Sequence, residues 1–275
     1  MVRFHNVFAA CTVFGAALWA GAVSAQTPAA TYLFQNNFAA VQSGKPALVQ
    51  VDPQATSLFE TDTVFGQSRT VYHFIGSASP PAQQSGLTLN TTGLVTPNNY
   101  SVELVTELAD RPNAYRRLLD VQNRASDAGF YVNPGNSLEL FPVSGGAGLF
   151  TSSIYHHIVL TDSTANTVNA YLDGTLAFTA TSSIMHLNSD LADNPSALLG
   201  FFLDNTAGGG QGEYSTGKIA LARLYDGVLT GAQVSALAQN PFATPNATPE
   251  PGSIALFTGM CLSGSVFVAR RRRRK

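Results

Sequence analysis

The chain has 275 residues and a formal net charge of −2. The charge is unevenly distributed, because eight of the 15 cations and all 17 acidic residues lie within residues 26–251, which therefore carry a formal charge of −9. A segment this acidic excludes nucleic acid as an expected partner, since binding to the phosphate backbone requires cations. Both cysteines, Cys11 and Cys261, lie outside the segment, so it can form no internal disulfide bond.

Residues 1–25 have the pattern of a secretory signal peptide. Arg3 precedes a short apolar run at residues 7–20, and small residues follow up to Ala25. The pattern predicts that signal peptidase cleaves between Ala25 and Gln26 and that the rest of the chain is exported. An uncleaved N-terminal anchor is the alternative, but the run is short and a cleavage motif follows it directly.

Residues 26–240 are predicted to form one all-β domain. Runs rich in Val, Ile, Tyr, Phe and Thr are broken by Gly, Asn, Asp and Pro, and their apolar positions recur with period two. Many short strands at this spacing predict a two-sheet antiparallel β-sandwich. Strands are predicted at residues 32–38, 71–75, 101–107, 115–122, 129–132, 137–141, 154–161, 167–172, 175–180, 197–203 and 218–225.

The Asp173-Gly174 dipeptide predicts a tight hairpin turn. A two-residue loop would scatter the apolar side chains of the hairpin over both faces. A three-residue loop that begins at Leu172 would instead place Ala170 opposite Leu176 on one apolar face. We therefore predict the three-residue loop, which a pairing of Leu172 with Thr175 would refute.

One short helix is predicted at residues 231–238. Thr230 is a favourable N-cap, and Gln233 three residues later completes a capping box. Leu229 and Val234 are spaced as a hydrophobic staple. We expect this helix to cover one end of the sandwich.

The C-terminal residues 249–275 have three parts that follow a proline-containing linker at residues 241–248. The uncharged run at residues 252–269 would span about 27 Å as a helix, close to a hydrocarbon core of about 30 Å. It is therefore predicted to be a transmembrane helix, and the cations after it should remain in the cytoplasm. The flanking residues are Pro249, Glu250 and Pro251 before the run and Arg270, Arg271, Arg272, Arg273, Arg274 and Lys275 after it.

This order of parts resembles the PEP-CTERM sorting signals of Gram-negative bacteria, where an exosortase processes the chain near the Pro-Glu-Pro triplet. The resemblance implies an exported protein that is held briefly in the inner membrane and then transferred to the cell surface or extracellular matrix. A permanent C-terminal anchor with a basic flank is the alternative.

Three segments resemble laminin-G-like, concanavalin A-like jelly-roll domains over about residues 31–238. They are the strand at residues 154–161, the hairpin at 169–174 and the Gly-Lys-Ile-Ala-Leu-Ala-Arg-Leu-Tyr-Asp-Gly run at 217–227. Tyr155 departs from the family, where Trp is common before the His. The resemblance implies a fold whose loops bind glycans or proteins, sometimes with a calcium ion.

Catalysis is not predicted. Related sandwich glycosidases carry Glu-x-Asp-x-x-Glu on one strand, and the nearest match here, Glu60-Thr61-Asp62, lacks the last acid. No stretch supplies an obvious pair of carboxyl groups at the spacing that glycoside hydrolysis needs, although distant residues could converge in space. Glu103 and Glu107 lie in a strand pattern on one face, and we expect both to be solvated.

An arginine cluster is the candidate ligand-binding feature. Four of the eight cations of residues 26–251 are Arg111, Arg116, Arg117 and Arg124, and guanidinium groups match carboxylate or sulfate groups. Arg116 and Arg117 could therefore meet an acidic exopolysaccharide or surface glycan, with Tyr115 and Tyr131 stacking on sugars. The alternative is ion pairing with neighbouring aspartates at positions 110, 120 and 127.

Asp204 and Asn205 are the candidate calcium ligands. They follow the apolar strand at residues 197–203, and hard cations favour carboxylate and carbonyl oxygens on loops. A capped strand end before a glycine-rich turn is the alternative. The adjacent His156 and His157 are not expected to share a metal ion, because neighbouring side chains of a strand point to opposite faces.

These features predict an exported, non-catalytic surface or matrix protein that acts as a carbohydrate-binding module. Two other classes remain open: a structural matrix protein without a specific ligand, and a polysaccharide-degrading enzyme.

Overall fold

The computed structural model describes residues 26–76, 84–146, 149–187 and 197–243. The predicted signal peptide with Ala25, and the tail with Pro249, Glu250, Pro251 and Arg270 to Arg274, lie outside the described residues. Within the described ranges, no helix is long and apolar enough to cross a membrane.

Fifteen strands and one helix occur in these ranges. They are β1 (Ala30–Tyr32), β2 (Val49–Val51), β3 (Leu58–Val64), β4 (Gln67–Phe74), β5 (Gly86–Asn90), β6 (Tyr100–Leu108), β7 (Arg116–Asp120), β8 (Gly129–Val132), β9 (Leu138–Phe141), β10 (Ser144–Gly145), β11 (His156–Asp162), β12 (Thr167–Leu172), β13 (Thr175–Thr181), β14 (Leu198–Phe201), β15 (Gly217–Asp226) and α1 (Gly231–Gln239).

The strands form two antiparallel sheets, so the prediction of a two-sheet sandwich is confirmed. The first sheet has the order β13-β12-β11-β6-β15-β4-β3, and β1 also pairs with β15. The second has the order β10-β9-β8-β7-β14-β5-β2. About half of the pairings join strands that are not consecutive in the chain, as expected for a jelly roll.

The main core lies between the two sheets. Alternate residues of β6, such as Val102 and Leu104, point into it, as do Ile158 and Leu160 of β11. The residues between them point to the outer face of the first sheet, as the period-two pattern predicts.

The hairpin between β12 and β13 differs from the prediction. Leu172 pairs with Thr175, so the turn has two residues, Asp173 and Gly174, both at positive φ as a type I′ turn requires. The predicted three-residue loop is therefore wrong. Instead, the pairing of β12 with β13 shifts register after Ala170. This irregularity within the strands, and not the turn, sets which face of the sheet each apolar side chain occupies.

The first predicted strand, at residues 32–38, is also placed incorrectly. The strand ends at Tyr32, because the chain turns at Phe34 and Asn36, which both have positive φ. Four strands that the sequence did not predict, β2, β3, β5 and β10, lie at or next to a sheet edge, and none of them is buried along its whole length.

The predicted helix is confirmed, and its position is informative. Thr230 caps the helix and forms the expected capping box with Gln233. Val234 packs with Val159 and Tyr171 on the face of the first sheet opposite the main core. The helix therefore covers the outer face of this sheet, where we had expected it to cover an end of the sandwich.

A buried charged cluster lies on the same outer face. Glu103 accepts hydrogen bonds from His157 Nε2 at 3.0 Å and from Arg223 at 3.2 Å, and it also binds Tyr225 Oη. Its side chain is fully buried, so the prediction that Glu103 is a solvated acid is wrong. Arg223 also donates to the carbonyls of Pro241 and Ala243, which keeps the chain packed on the domain as far as residue 243.

Candidate functional site

Two surface concavities lie beside the β3–β4 hairpin and the loop before β11, and Ser153 lines both of them. We call the two together the Ser153 groove and each of them a lobe. The lobes have volumes of about 440 and 410 Å³. The first lobe is lined by Asp62, Thr63, Phe65, Glu107, Ser153, Ile154 and Tyr155, and the second by Asp110, Asn136, Leu149, Phe150, Thr151, Ser152 and Ser153.

The rim of the groove is apolar and open to solvent. Phe65 is 48% exposed, Ile154 is 49% exposed and Leu149 is 73% exposed. These are three of the eight large hydrophobic residues that are exposed in the described part of the chain. A group of exposed apolar side chains around a concavity with polar walls is typical of a binding site.

Two residues of the groove have unusual backbone conformations. Phe65 and Gly66 form the two-residue turn between β3 and β4, and Phe65 has a φ of 48°. This position normally takes Asn, Asp or Gly, and a bulky residue there costs about 1–2 kcal/mol. Ser153 has a φ of 61°. Strained residues of this kind cluster at ligand-binding sites.

An ion-pair network forms the polar wall of the first lobe. Lys218 Nζ lies 2.7 Å from Asp62 Oδ2, 3.1 Å from Glu60 Oε1 and 3.7 Å from Glu107 Oε1. Tyr155 donates its hydroxyl to Asp62 Oδ2 at 2.9 Å, and the Thr63 amide donates to Asp62 Oδ1 at 2.7 Å. Strands β3 and β6, which are separated in the sheet by β4 and β15, thus place acids that are far apart in sequence around Lys218 of β15.

The two acids that line this lobe have pKa values shifted in opposite directions. Burial alone would raise the pKa of Asp62, but hydrogen bonds from Lys218, Thr63 and Tyr155 lower it overall. Burial raises the pKa of Glu107, and the attraction of Lys218 only partly offsets that effect. Asp62 is therefore a well-stabilised carboxylate, whereas the ionised form of Glu107 is poorly compensated.

A buried arginine, Arg116, holds the residues of the second lobe in place. Arg116 donates to Ser152 Oγ at 2.8 Å, to the Ala109 carbonyl at 3.1 Å and to Asn136 Oδ1. Its guanidinium carbon lies 5.3 Å from the centre of the Phe150 ring. Arg116 is only 1% exposed, so it orients residues of the groove without reaching the surface.

His156 fixes the loop at residues 149–155. His156 Nδ1 lies 2.7 Å from Asp173 Oδ2, and His156 Nε2 lies 3.1 Å from the Thr151 amide nitrogen and 3.0 Å from the Thr151 carbonyl oxygen. His157 instead contacts Glu103 on the outer face of the first sheet. The two histidines therefore have separate partners, as the strand geometry predicts.

The predicted arginine patch is not a surface feature. Arg117 is fully buried, with its guanidinium 3.1 Å from Asp120 and 3.4 Å from Asp204. Arg111 donates to the carbonyls of Gly212, Tyr115 and Tyr214, and Arg124 donates to the carbonyl of Asp204. The expectation that Arg116 and Arg117 meet a polymer directly is wrong, because both side chains are buried and form hydrogen bonds within the domain.

The two predicted tyrosines lie together on the outer face of the second sheet. Tyr115 and Tyr131 make an edge-to-face contact, with ring centres 5.6 Å apart, and Tyr131 is fully buried. The Tyr131 hydroxyl donates to the Asp127 carbonyl at 2.7 Å. Only Tyr115 is partly accessible to a sugar.

The predicted calcium ligand Asp204 belongs to an acidic loop cluster. Ligand oxygens of Asp127, Asp204 and Glu213 all lie within 4.8 Å of one another. However, Asp204 already accepts hydrogen bonds from the amides of Gly212 and Glu213 at 2.9 and 2.7 Å, and from Arg117. A calcium ion would have to compete with all three donors.

Asn205 differs from Asp204, because its Oδ1 is buried and accepts no hydrogen bond from the described residues. Its Nδ2 donates to the carbonyls of Ala207 and Gly209 at 2.8 and 2.7 Å, which closes the glycine-rich loop in the way that a capped strand end requires. Burial and the neighbouring Asp127 raise the pKa of Glu213 to about 8. A proton on Glu213 therefore reduces the repulsion among Asp127, Asp204 and Glu213. The donors on Asp204 and the proton on Glu213 both disfavour calcium at this cluster.

This arrangement predicts how the cluster responds to pH and to calcium. The pKa of Glu213 is raised from 4.5 to about 8 in the folded state, so stability should fall as pH rises through that window, where only the folded state keeps the proton. Glu213→Gln should raise the melting temperature at pH 9 by roughly 2–4 °C for each kcal/mol recovered, with no gain at pH 4. Millimolar calcium should leave the melting temperature of the wild-type protein at pH 7 unchanged. A calcium-dependent rise that Glu213→Gln abolishes would contradict this.

The chain belongs to the concanavalin A-like lectin/glucanase superfamily, whose sequence profile matches residues 81–235. Domain 4 of AbnA, a GH43 extracellular arabinanase from Geobacillus stearothermophilus solved in complex with arabinotriose, has a similar structure. The TM-score is 0.57 and the identity 18%, over 78% of this chain and 100% of that domain.

Two further structures are similar at a TM-score of 0.50 and 12% identity. Trypanosoma rangeli sialidase with 2,3-difluorosialic acid matches over 75% of this chain and 35% of its own. The botulinum neurotoxin serotype D binding domain matches over 78% and 51%. At these identities the likeness shows the fold alone. No curated protein sequence matches the chain significantly.

Sequence reasoning missed the Ser153 groove, although it contained two signals. Phe65-Gly66 separates two polar, alternating stretches, and Phe is an unusual first residue for a two-residue hairpin turn. Tyr155 stands out in the sequence only as a departure from the family. The convergence of Asp62 with Glu107 was not predictable, because it depends on β15 lying between β4 and β6.

Proposed function

We propose that this protein is an exported, non-catalytic carbohydrate-binding module that holds a glycan segment in the Ser153 groove. The observation that carries the proposal is Phe65, an exposed aromatic residue kept at a strained turn position on the rim. Aromatic rings stack on the apolar faces of sugars, and a bulky residue in the left-handed conformation is retained only where something compensates its cost.

The rest of the groove supports the same proposal. Ile154 and Leu149 extend the apolar rim, while the hydroxyl of Ser153 and the carboxylates of Glu107 and Asp110 supply hydrogen-bonding groups to a sugar. The AbnA domain, which this fold resembles over its whole length, was solved with a bound arabinotriose. A third concavity, at residues Thr61, Ser68 and Arg69 among others, is polar and has no apolar rim.

A polysaccharide-degrading enzyme is the second candidate, because one specific observation favours it. Asp62 and Glu107 line the same lobe with pKa values shifted in opposite directions, as in pairs of a base and an acid. The hydrogen bonds to Asp62 argue against a catalytic role, since Lys218, Tyr155 and Thr63 already occupy its carboxylate oxygens. Release of reducing ends from a bound polysaccharide would favour the enzyme.

The terminal segments support delivery to the cell surface or extracellular matrix of a Gram-negative bacterium. In this part of the proposal, signal peptidase removes residues 1–25, and the C-terminal helix holds the chain in the inner membrane until an exosortase processes it near Pro249, Glu250 and Pro251. A mature N-terminus at Gln26 in the exported protein is the expected readout.

The binding proposal is tested by a glycan array with the wild-type protein and Phe65→Asn. Asn is favoured at this turn position, so the variant should be more stable by about 1 kcal/mol while its glycan binding falls about tenfold or more. Val49→Ala, at an exposed apolar residue of β2 on the second sheet, is the control and should bind normally. Unchanged binding by Phe65→Asn would show that the site lies elsewhere, and an array without any saturable binding would favour a structural matrix protein.

A further inference from the structure

The charges around the Ser153 groove indicate what kind of glycan it can accept. Asp62 and Glu107 line the first lobe, and Asp110 lines the second. Lys218 forms ion pairs with Asp62, Glu107 and also Glu60. Lys218 and the buried Arg116 contact this wall, and His73 Nδ1 lies 3.5 Å from Glu60 Oε1. The wall therefore keeps an excess of negative charge.

Two of these acids have unused capacity to accept hydrogen bonds. Glu107 is approached only by Lys218 among the described residues, at 3.7 Å, and its carboxylate is poorly compensated. Asp110 is exposed, and among the described residues its side chain makes one long contact, of 3.4 Å with Ser152 Oγ. Both carboxylates can therefore accept further donors from a ligand, and a cationic donor would stabilise them most.

The charge of the whole domain acts in the same direction. Residues 26–251 carry a formal charge of −9, and the arginines that could have attracted a polyanion are bonded internally. A field of this sign repels acidic polymers and attracts cationic ones.

We infer that the groove binds a glycan that carries free amino groups, such as a segment of a hexosamine polymer with unacetylated amines. In this arrangement Phe65 stacks on a sugar face, and protonated amines lie against Glu107 and Asp110. The inference rests on the proposed function, because it names the ligand class of the same groove. It replaces the acidic exopolysaccharide that the arginine cluster had suggested.

Three probes of equal length separate the alternatives: a β-1,4-linked glucosamine hexamer, the N-acetylglucosamine hexamer and a galacturonic acid hexamer. In calorimetric titrations at pH 6 and low salt, the full-length protein should bind the glucosamine hexamer about tenfold more tightly than the acetylated one. It should not bind the acidic one. The preference should shrink in high salt and above the pKa of the glucosamine amine, because it comes from charge.

Two variants test the residues. Glu107→Gln and Asp110→Asn should each weaken binding of the glucosamine hexamer roughly threefold to tenfold and leave the acetylated hexamer unaffected. Asp110→Asn changes an exposed side chain, so it remains informative if Glu107→Gln disturbs the Lys218 network. Asp226→Asn, at the other end of β15 from Lys218, is the control and should bind like the wild type.

The outcomes distinguish this inference from the proposed function. Tighter binding of the galacturonic acid hexamer, or equal binding of both hexosamine probes with no effect of either variant, overturns the inference while the groove remains a glycan site. Absence of binding to all three probes and to every glycan of the array overturns both.

Discussion

Glu103→Gln is expected to destabilise the domain by about 3–5 kcal/mol, the usual loss when one partner of a buried ion pair is removed. Glu103 is fully buried and holds His157, Arg223 and Tyr225 together. Without its charge, Arg223 is left 2% exposed beside a neutral amide. Denaturant unfolding followed by circular dichroism measures the loss.

Two further measurements separate the charge of Glu103 from its packing. The double variant Glu103→Leu with Arg223→Met should lose less stability than Glu103→Gln, because it removes both buried charges together. The pKa of Glu103 is lowered from 4.5 in spite of burial, by His157 and Arg223. Its contribution to stability is therefore present above pH 4.5 and lost as pH falls through its folded pKa. A Glu103→Gln variant as stable as the wild type at pH 7 would contradict this account.

Asp162→Asn is expected to stabilise the domain at pH 8 by on the order of 3 kcal/mol. Asp162 is fully buried, and neither of its carboxylate oxygens makes a hydrogen bond of ordinary geometry with the described residues. Burial raises its pKa to about 7, and the Ser163 amide offsets this only in part. His186 Nε2 lies 3.6 Å away, but burial lowers the pKa of His186, so it supplies no positive charge at pH 8.

The size of this stabilisation depends on pH. Because the pKa of Asp162 is raised from 3.8 to about 7, only the folded state keeps the proton within that window, and wild-type stability should fall as pH rises through it. The nearby Tyr100 stays neutral, since burial raises its pKa further above 10. At pH 4 the asparagine variant should gain nothing. A variant less stable than the wild type at every pH would mean that Asp162 is ionised and paired.

Local patterns were sufficient to predict much of the fold. The period-two pattern predicted the sandwich, and Thr230 with Gln233 predicted the helix start, because capping depends on neighbouring residues alone. The prediction for the hairpin at Asp173 was wrong for a physical reason. A bulge after Ala170 changes which face the side chains occupy, and no residue of the turn indicates where a strand shifts register.

The candidate site was harder to predict than the fold. Arginines such as Arg117, clustered in sequence, suggested a binding surface, whereas the structure turns them inward onto aspartates and carbonyls. Sequence shows the charge of a residue but not which face of the sheet it occupies when a bulge, such as the one after Arg117 in β7, changes the alternation. Phe65 was missed because its importance lies in a backbone angle and an exposed ring.

The central claim is that the Ser153 groove holds a glycan, and hydrogen–deuterium exchange with the tightest glycan of the array tests it most directly. The account predicts protection at residues 62–65 and 149–155 on binding, absent in Phe65→Asn. Protection at residues 122–128 and 204–214 instead, around the acidic loop cluster, would contradict it.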